Sequence, residues 1–431
     1  MATTILLTFS LLLVGLGLSL PMFVVLTGTS FLVFAVTTSI PLSILPQRVF
    51  AGLESFPLLA IPFFILAANI MSQGGLSERI VTFIRAFVGH LPGGLAVTVV
   101  VTCMLFGAIT GSSASTIIAV GGLLFPALVK AGYPERFALG LVTCSALIGM
   151  IIPPSNAMIV YGSVANTSIG ALFMSGIGAG LLFSLVYAIY CVTWAITHKV
   201  PRDKRSNLKE ILEATRRVLW GVGMPVIILG GLYGGVFTAT EAAAVSVVYA
   251  ILVSMIVYRQ VNFVKLWKIC EESALSSARI LVMVGAASLF SYLLTVTGIT
   301  VAVSEPLRSL ENSPKLLLLA SNIMFLIGGM FLDIFSNILI FVPIMLGVIT
   351  SAGIGSVHFG IITSVNVDIG NITPPFGLNL FVSSGTFNKP YVVVMRACLP
   401  WLGLAIVSLL LITFFPVISL WLPQQMYPGV K

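Results

Sequence analysis

Apolar residues in this chain run in blocks. The stretch "LLFSLVYAIYCVTWAI" is broken only by Ser, Thr and Tyr and shows no period of two. Barrel strands would alternate apolar and polar side chains, so the pattern predicts helices. A helix needs roughly 20 apolar residues to cross a bilayer. By that measure, spans fall near residues 4–20, 22–45, 50–73, 137–165, 170–197, 218–236, 240–258, 280–300, 356–386 and 391–421. Two further stretches, 94–129 and 316–349, are too long for one straight crossing. Each has a polar centre with small residues and reads as a re-entrant hairpin. An amphipathic piece precedes each hairpin, 74–91 and 301–314, and suits the membrane interface.

Composition agrees with this layout. Of 431 residues, 58% are hydrophobic and 8% charged, with a mean hydropathy of +1.14. Soluble domains carry about 25% charged residues, so a soluble globular protein is excluded. Disorder and a disulfide scaffold are excluded with it. The apolar excess runs from end to end, which rules out a single-span anchor. The fold class is an all-α polytopic membrane protein, because only helices or closed barrels satisfy their backbone in hydrocarbon. The N-terminal stretch lacks a basic start and a small-residue cleavage site, so it reads as a first span that stays.

The net charge of +8 comes from 21 basic and 13 acidic residues. In a membrane protein this excess encodes orientation rather than nucleic-acid binding. With the 199–217 loop in the cytoplasm, only Arg48, Arg308, Lys315 and Lys431 of the 21 basic residues fall outside, as do both termini. Making either hairpin a full crossing would spoil that split. Cys103, Cys144, Cys191, Cys270 and Cys398 form no CxxC pair, and imply neither metal nor disulfide. His90, His198 and His358 fall at span ends or in loops, so a membrane haem held by paired His is disfavoured. No HExxH, GxSxG or P-loop pattern occurs. The chain does not read as an enzyme.

An internal repeat organises the rest. "ALIGMIIPPSNAMIVYG" resembles "VDIGNITPPFGLNLFVS", each with Gly-x-x-x-Pro-Pro: Gly149 with Pro153 and Pro154, Gly370 with Pro374 and Pro375. Upstream, "FGAITGSSASTIIAVGGLLFP" and "GGMFLDIFSNILIFVP" both place small polar residues before an apolar run ending in proline. The expected organisation is a first repeat over 1–200, a basic cytoplasmic loop over 201–217 and a second repeat over 218–431. Each half has five crossings and one hairpin. Five is odd, so the second copy must be inverted. Inverted repeats with broken helices at mid-membrane mark secondary transporters.

The candidate chemistry follows from the breaks. Proline removes a donor and clashes with the preceding turn. Freed carbonyls in hydrocarbon are costly unless they line a cavity or meet a cation. A proline kink packed against a neighbour is the alternative. In the first hairpin, Gly111, Ser112, Ser113 and Ser115 offer hydroxyls and carbonyls, hard oxygen ligands suited to sodium, or else a small-residue packing seam. In the second, Asp333, Ser336 and Asn337 include an acid at membrane depth, a functional candidate by default. Asp368 precedes the second break and would neutralise a cation or cap a half-helix. Asn156 and Asn379 follow the two breaks and would bind substrate or satisfy backbone. No Arg lies at mid-depth in a span, so no bidentate carboxylate clamp is identified.

These motifs in this order resemble the large membrane subunit of tripartite ATP-independent periplasmic (TRAP) transporters. "ITGSSAS…LLFPALVKAGYP", "IIPPSNAMIVYG", "TPPFGLNLFV" and "FPLLAIPFFILAANIM" carry the resemblance over nearly the whole chain. It implies secondary uptake of an organic anion such as a C4-dicarboxylate or sialic acid, driven by sodium ions, with no organic cofactor. It implies two partners in the bacterial inner membrane system: a small four-helix membrane subunit and a periplasmic substrate-binding protein. It also implies an elevator-type fold. Ser336-Asn337 further matches the Ser-Asn hairpin motif of divalent-anion/sodium symporters. One sodium is expected between Gly111, Ser112, Ser113 and Gly149, Pro153, Ser155. A second is expected between Asp333, Ser336, Asn337 and Gly370, Thr373, Pro375. The substrate is expected between the tips, near Ser115, Asn156, Asp368 and Asn379. A stand-alone anion symporter or antiporter of the same superfamily is the alternative.

Overall fold

The computed structural model describes residues 2–18, 20–427 and 429; Lys431, assigned above to the outer side, is not among them. Every regular element among the described residues is helical. The chain opens with α1 (Ala2–Gly17), α2 (Met22–Thr37), a short α3 (Ile44–Ala51) and α4 (Ala60–Gln73), which continues a tight turn over Phe56–Leu59. The amphipathic α5 (Leu76–Val88) leads into the first hairpin. One arm is α6 (Gly94–Thr110). The other is α7 (Ser113–Thr116), a π-helical stretch Ile117–Gly121 and α8 (Gly122–Lys130). The first broken helix follows as α9 (Glu135–Ser145), α10 (Ile148–Ile151) and α11 (Asn156–Ala165), then the long α12 (Ile169–Thr197).

The second half begins with α13 (Leu208–Tyr233), α14 (Ala239–Leu252) with a π-helical end over Val253–Val257, and α15 (Phe263–Val296). Next come the amphipathic α16 (Ile299–Arg308) and the second hairpin, α17 (Pro314–Phe331) and α18 (Ile334–Ser351). The second broken helix is α19 (Ser356–Gly370) and α20 (Leu378–Phe387), followed by α21 (Tyr391–Phe414) and α22 (Val417–Met426). Among the described residues, eight helices are long and apolar enough to cross a membrane, three of them hairpin arms, and the pair broken at 152–155, bent by 42°, makes a ninth.

Four expected boundaries are corrected. The 22–45 span ends at Thr37, and Ile44–Ala51 forms a separate helix after Pro41. The 391–421 span is two helices, divided where Pro416 removes a donor. The 218–236 span starts at Leu208, inside the loop read as 201–217, because Asn207 and Glu210 form a reciprocal cap (3.0 and 2.9 Å). The 280–300 span begins at Phe263, giving α15 34 residues and a length of about 51 Å against a hydrocarbon layer of about 30 Å. Its charged first turns leave the apolar layer, and Lys265 Nζ there donates to the Gln73 carbonyl at 2.8 Å.

Burial sorts the helices. Residues 357–370 of α19 and 137–145 of α9 are buried on every side. By contrast α1, α12, α13 and α14 leave Leu13, Leu185, Val226 and Val248 exposed, as a lipid-facing ring requires. The broken helices are therefore the centre of the molecule.

The two halves repeat local details that hydropathy does not report. Gly75 (φ 77°) and Gly298 (φ 74°) precede α5 and α16, and Gly132 (φ 91°) and Gly353 (φ 74°) follow the two hairpins. All four occupy the left-handed region that favours glycine. Asn166 (φ 48°) and Asn388 (φ 51°) end the ten-residue helices α11 and α20 in the same way.

Ties at helix ends fall into two groups. One joins Arg85 to Asp203 (2.7 and 3.0 Å), Glu135 to Lys389, and Arg136 Nη2 to the Arg396 carbonyl (3.0 Å). Hydrogen bonding to Asp203 holds the Arg85 guanidinium above its ordinary pKa. The other joins Ser55 to Ser163 (2.6 Å), Tyr161 Oη to the Ser356 carbonyl (2.8 Å), and Arg48 to the Tyr292 ring (4.2 Å). The charge rule places the first group in the cytoplasm and the second outside. Lys130 and Lys315, both exposed, are expected on opposite faces. Of the native cysteines only Cys270 is not buried. In a Cys270→Ser background, a membrane-impermeant maleimide should therefore label Lys315→Cys in spheroplasts, and Lys130→Cys only after permeabilisation. Labelling of both from one face would overturn the inverted layout.

Candidate functional site

In the first hairpin, α6 ends because Gly111 turns into the left-handed region (φ 56°) and Ser112 is extended (φ −142°). Ser112 then caps α7, its Oγ accepting from the Ser115 amide at 3.4 Å. A Cβ on Gly111 would run into the Pro154 carbonyl, so the hairpin tip rests on the first break. One turn back, Gly107 meets Gly149 backbone to backbone: a Cβ on Gly149 would lie 3.1 Å from the Gly107 Cα and 2.8 Å from Thr116 Oγ1. Thr116 Oγ1 donates to the Ser112 carbonyl at 2.8 Å and lies 3.3 Å from Thr110 Oγ1. Ser155 is fully buried, and its Oγ accepts from the Met158 amide at 3.4 Å, capping α11. The first amides of α11 have no acceptor within the helix, and the serine side chain supplies one.

The second hairpin repeats the plan with different chemistry. Asp333 caps α18 in place of Ser112. Its Oδ2 accepts from the Phe335 and Ser336 amides (3.0 and 3.3 Å), and its Oδ1 from Ser336 Oγ (2.5 Å). Gly329 meets Gly370 as Gly107 meets Gly149: a Cβ on either would lie 2.6–2.8 Å from the other's Cα. Asn337 Nδ2 donates to the Phe325 carbonyl at 3.0 Å. The 371–377 turn is closed by the Asn379 amide donating to the Asn371 carbonyl (2.9 Å), and Thr373 Oγ1 donates back to Ile369 (2.8 Å).

The halves also cross. Ser113 points to the second break rather than the first: its Oγ donates to Asn379 Oδ1 at 3.4 Å, and it lies beside Asp368, as does Asn371. Thr143 and Ser383 are hydrogen-bonded at 2.8 Å. Asp368, Asn337 and Asn379 are fully buried. Yet Asn337 Oδ1 and Asn379 Nδ2 have no hydrogen-bond partner among the described residues, and the Asp368 carboxylate has only Ser113 and Asn371 beside it. An unpaired buried polar group costs roughly 1–3 kcal/mol, so this junction is the candidate functional site. Of the other expected residues, Asn156 is buried at the start of α11, Ser115 is half-buried on α7, and Pro375 follows Pro374 in the second turn.

Sequence reasoning missed Thr116, Asn371, and the facing glycines Gly107 and Gly329. The repeat held the signal for the glycines: each lies four residues before the hairpin's turning residue, Gly111 or Asp333.

A lipid-facing helical ring around two hairpins and two broken helices, with unpaired polar groups where they meet, defines a multi-pass membrane transporter. Residues 9–418 match the tripartite ATP-independent periplasmic transporter family, DctM component, and the chain belongs to that family. It is 41% identical over 377 residues, 88% of each chain, to the C4-dicarboxylate TRAP transporter large permease protein DctM of Pseudomonas aeruginosa. It is 39% identical to the ectoine TRAP transporter large permease protein TeaC of Halomonas elongata, over 87% of this chain and 88% of that one. The fold is similar to that of the YdaH transporter of Alcanivorax borkumensis, with a TM-score of 0.66 and 15% identity, over 99% of this chain and 100% of that one. The protein is a membrane permease subunit and not an enzyme.

The glycine contacts predict a strict size limit. Gly149→Ala and Gly370→Ala should each overpack a backbone contact and cost about 1–3 kcal/mol. Gly347→Ala, on α18 with nothing within 4 Å, should be neutral or slightly stabilising. Thermal unfolding of the purified protein checks all three; equal melting temperatures would remove the close-contact argument.

Proposed function

We propose that this subunit moves an organic carboxylate inward together with sodium ions, by an elevator-type alternation of its central helices against the outer ring. The observation that carries the reading is the pair of like-built junctions, Gly107 with Gly149 and Gly329 with Gly370. Each packs the hairpin arm that leads to the tip against a proline-broken helix. One sodium binds among the oxygens of Gly111, Ser112, Gly149 and Ser155. The second binds among Asp333, Ser336, Asn337, Gly370 and Thr373. Asp333 already gathers a cap around its carboxylate, and a cation there adds to that charge balance. The carboxylate binds between the tips, where Asn379 Nδ2 is a buried donor without a partner among the described residues. Sodium orders the tips, and contributes through its higher affinity for the substrate-ready state.

The relatives' names favour carboxylates. One carries C4-dicarboxylates and another ectoine, which makes a short organic acid the first cargo to try. As a component of a tripartite system, the chain works with a small membrane subunit and a substrate-binding protein.

The test is uptake into liposomes holding this chain, the small subunit and a binding protein, with sodium outside and a panel of organic acids. Sodium-driven uptake of one acid is expected only with all three parts. Ser112→Ala and Asp333→Ala should each raise the sodium concentration for half-maximal uptake by about tenfold, the loss of one charge-assisted contact of 1.4 kcal/mol. Unchanged sodium activation in both variants would remove these residues from the scheme. Uptake by the chain alone would favour the stand-alone symporter.

A further inference from the structure

A second polar cavity lies away from the hairpin tips. It encloses about 660 Å³ beside the 73–75 turn, α5 and α13, on the side that the charge rule makes cytoplasmic. Arg79, Glu78, Thr82 and Arg217 line it, and Ala119 and Leu123 of the first hairpin close its far wall.

Arg79 is held in place from three directions. Its Nη1 donates to the Gly75 carbonyl at 2.6 Å and the Gly74 carbonyl at 3.3 Å. Its guanidinium lies 3.9 Å from the Tyr258 ring centroid. Nη1 is committed to these carbonyls, whereas Nε and Nη2 have no hydrogen-bond partner among the described residues. Arg217 is paired with Glu213 at 2.5 Å, outside the lining. Arg79 is thus the one lining cation with no carboxylate paired to it among the described residues, with Glu78 in the same lining. A fixed guanidinium with two donors to spare matches a carboxylate.

The far wall decides what that anion is. Ala119 is six residues from Ser113, so the cavity begins about 9 Å along the hairpin from the tip. Ala119 lies in the π-helical stretch Ile117–Gly121, which leads directly into α8. The cavity therefore lies along the first hairpin, on the side of its tip that the charge rule makes cytoplasmic. We propose that it is a release-side station for the cargo carboxylate, with Arg79 as its anion partner. The inference rests on the reading of inward carboxylate transport. The station is selective for charge rather than for carbon skeleton, because one guanidinium recognises one carboxylate.

Cysteine protection tests it without requiring transport. The reporter is Leu123→Cys in the Cys270→Ser chain, assembled with its partner subunit in inside-out vesicles. Succinate is the probe and its neutral analogue succinamide the control. Succinate should slow maleimide modification at least threefold, succinamide should not, and Arg79→Gln should abolish the protection. Because Arg79 also braces the 74–75 turn, two further variants guard against misfolding. Arg79→Lys should retain part of the protection, and Thr82→Asp, which leaves the Arg79 contacts in place, should remove it. No protection by succinate, equal protection by succinamide, or protection undiminished in Arg79→Gln and Thr82→Asp would each overturn the assignment. Failed sodium-driven uptake with intact protection would instead overturn the coupling scheme and leave the station standing.

Discussion

Hydrocarbon offers no partner to a peptide group, and the architecture follows from where this chain departs from helical hydrogen bonding. It departs at four places within the core: the tips at Gly111 and Asp333, and the breaks at 152–155 and 371–377. Each would be expensive facing lipid. Each is instead turned inward, tip against break in the first half and arm against break in the second. The contacts are close because glycine occupies both sides of each meeting point. A methyl group at Gly149 or Gly370 would separate backbones whose proximity keeps the opened turns dry and mutually supported.

That constraint also explains how polar residues are used near the tips. Three elements begin after a break or tip with a side-chain cap: α7 with Ser112, α11 with Ser155, α18 with Asp333. A cap satisfies one or two amides and leaves the carbonyls at the preceding helix end without equal compensation. The capping side chains thus hold the geometry of the opened turns. Asp333 differs from Ser112 in bringing a carboxyl group to the same task. The two junctions are alike in backbone and unlike in the chemistry of their caps.

Much of this was legible in the chain. The spans and both hairpins were readable because their length and apolar density leave few alternatives. The breaks were readable because paired prolines exclude helical continuation, and the repeat linked Gly149 to Gly370. Other features lay beyond hydropathy. The charged start of α15 is a good helix former that need not enter lipid, so an apolar window misses it. Gly107 and Gly329 look like any small residue in a membrane helix until a partner backbone faces them. The bond from Ser113 to Asn379 was not legible because a hairpin tip has two faces, and spacing along one strand of sequence does not say which face meets the other half.

The bond from Ser113 to Asn379 bears on how the parts are joined. If each junction were sealed within its own half, the halves would be free to rearrange separately. Instead Ser113 reaches Asn379, and Thr143 reaches Ser383, so the first hairpin and first broken helix are bonded to the second broken helix. The Glu135–Lys389 ion pair fastens the same two broken helices at their cytoplasmic ends. The connections leading into the hairpins, by contrast, pass through left-handed glycines at Gly75 and Gly298, before amphipathic helices that lie outside the buried core. Bonds are thus concentrated within the centre, with single turning points at its margins, and the two broken helices are joined to each other as well as to the first hairpin.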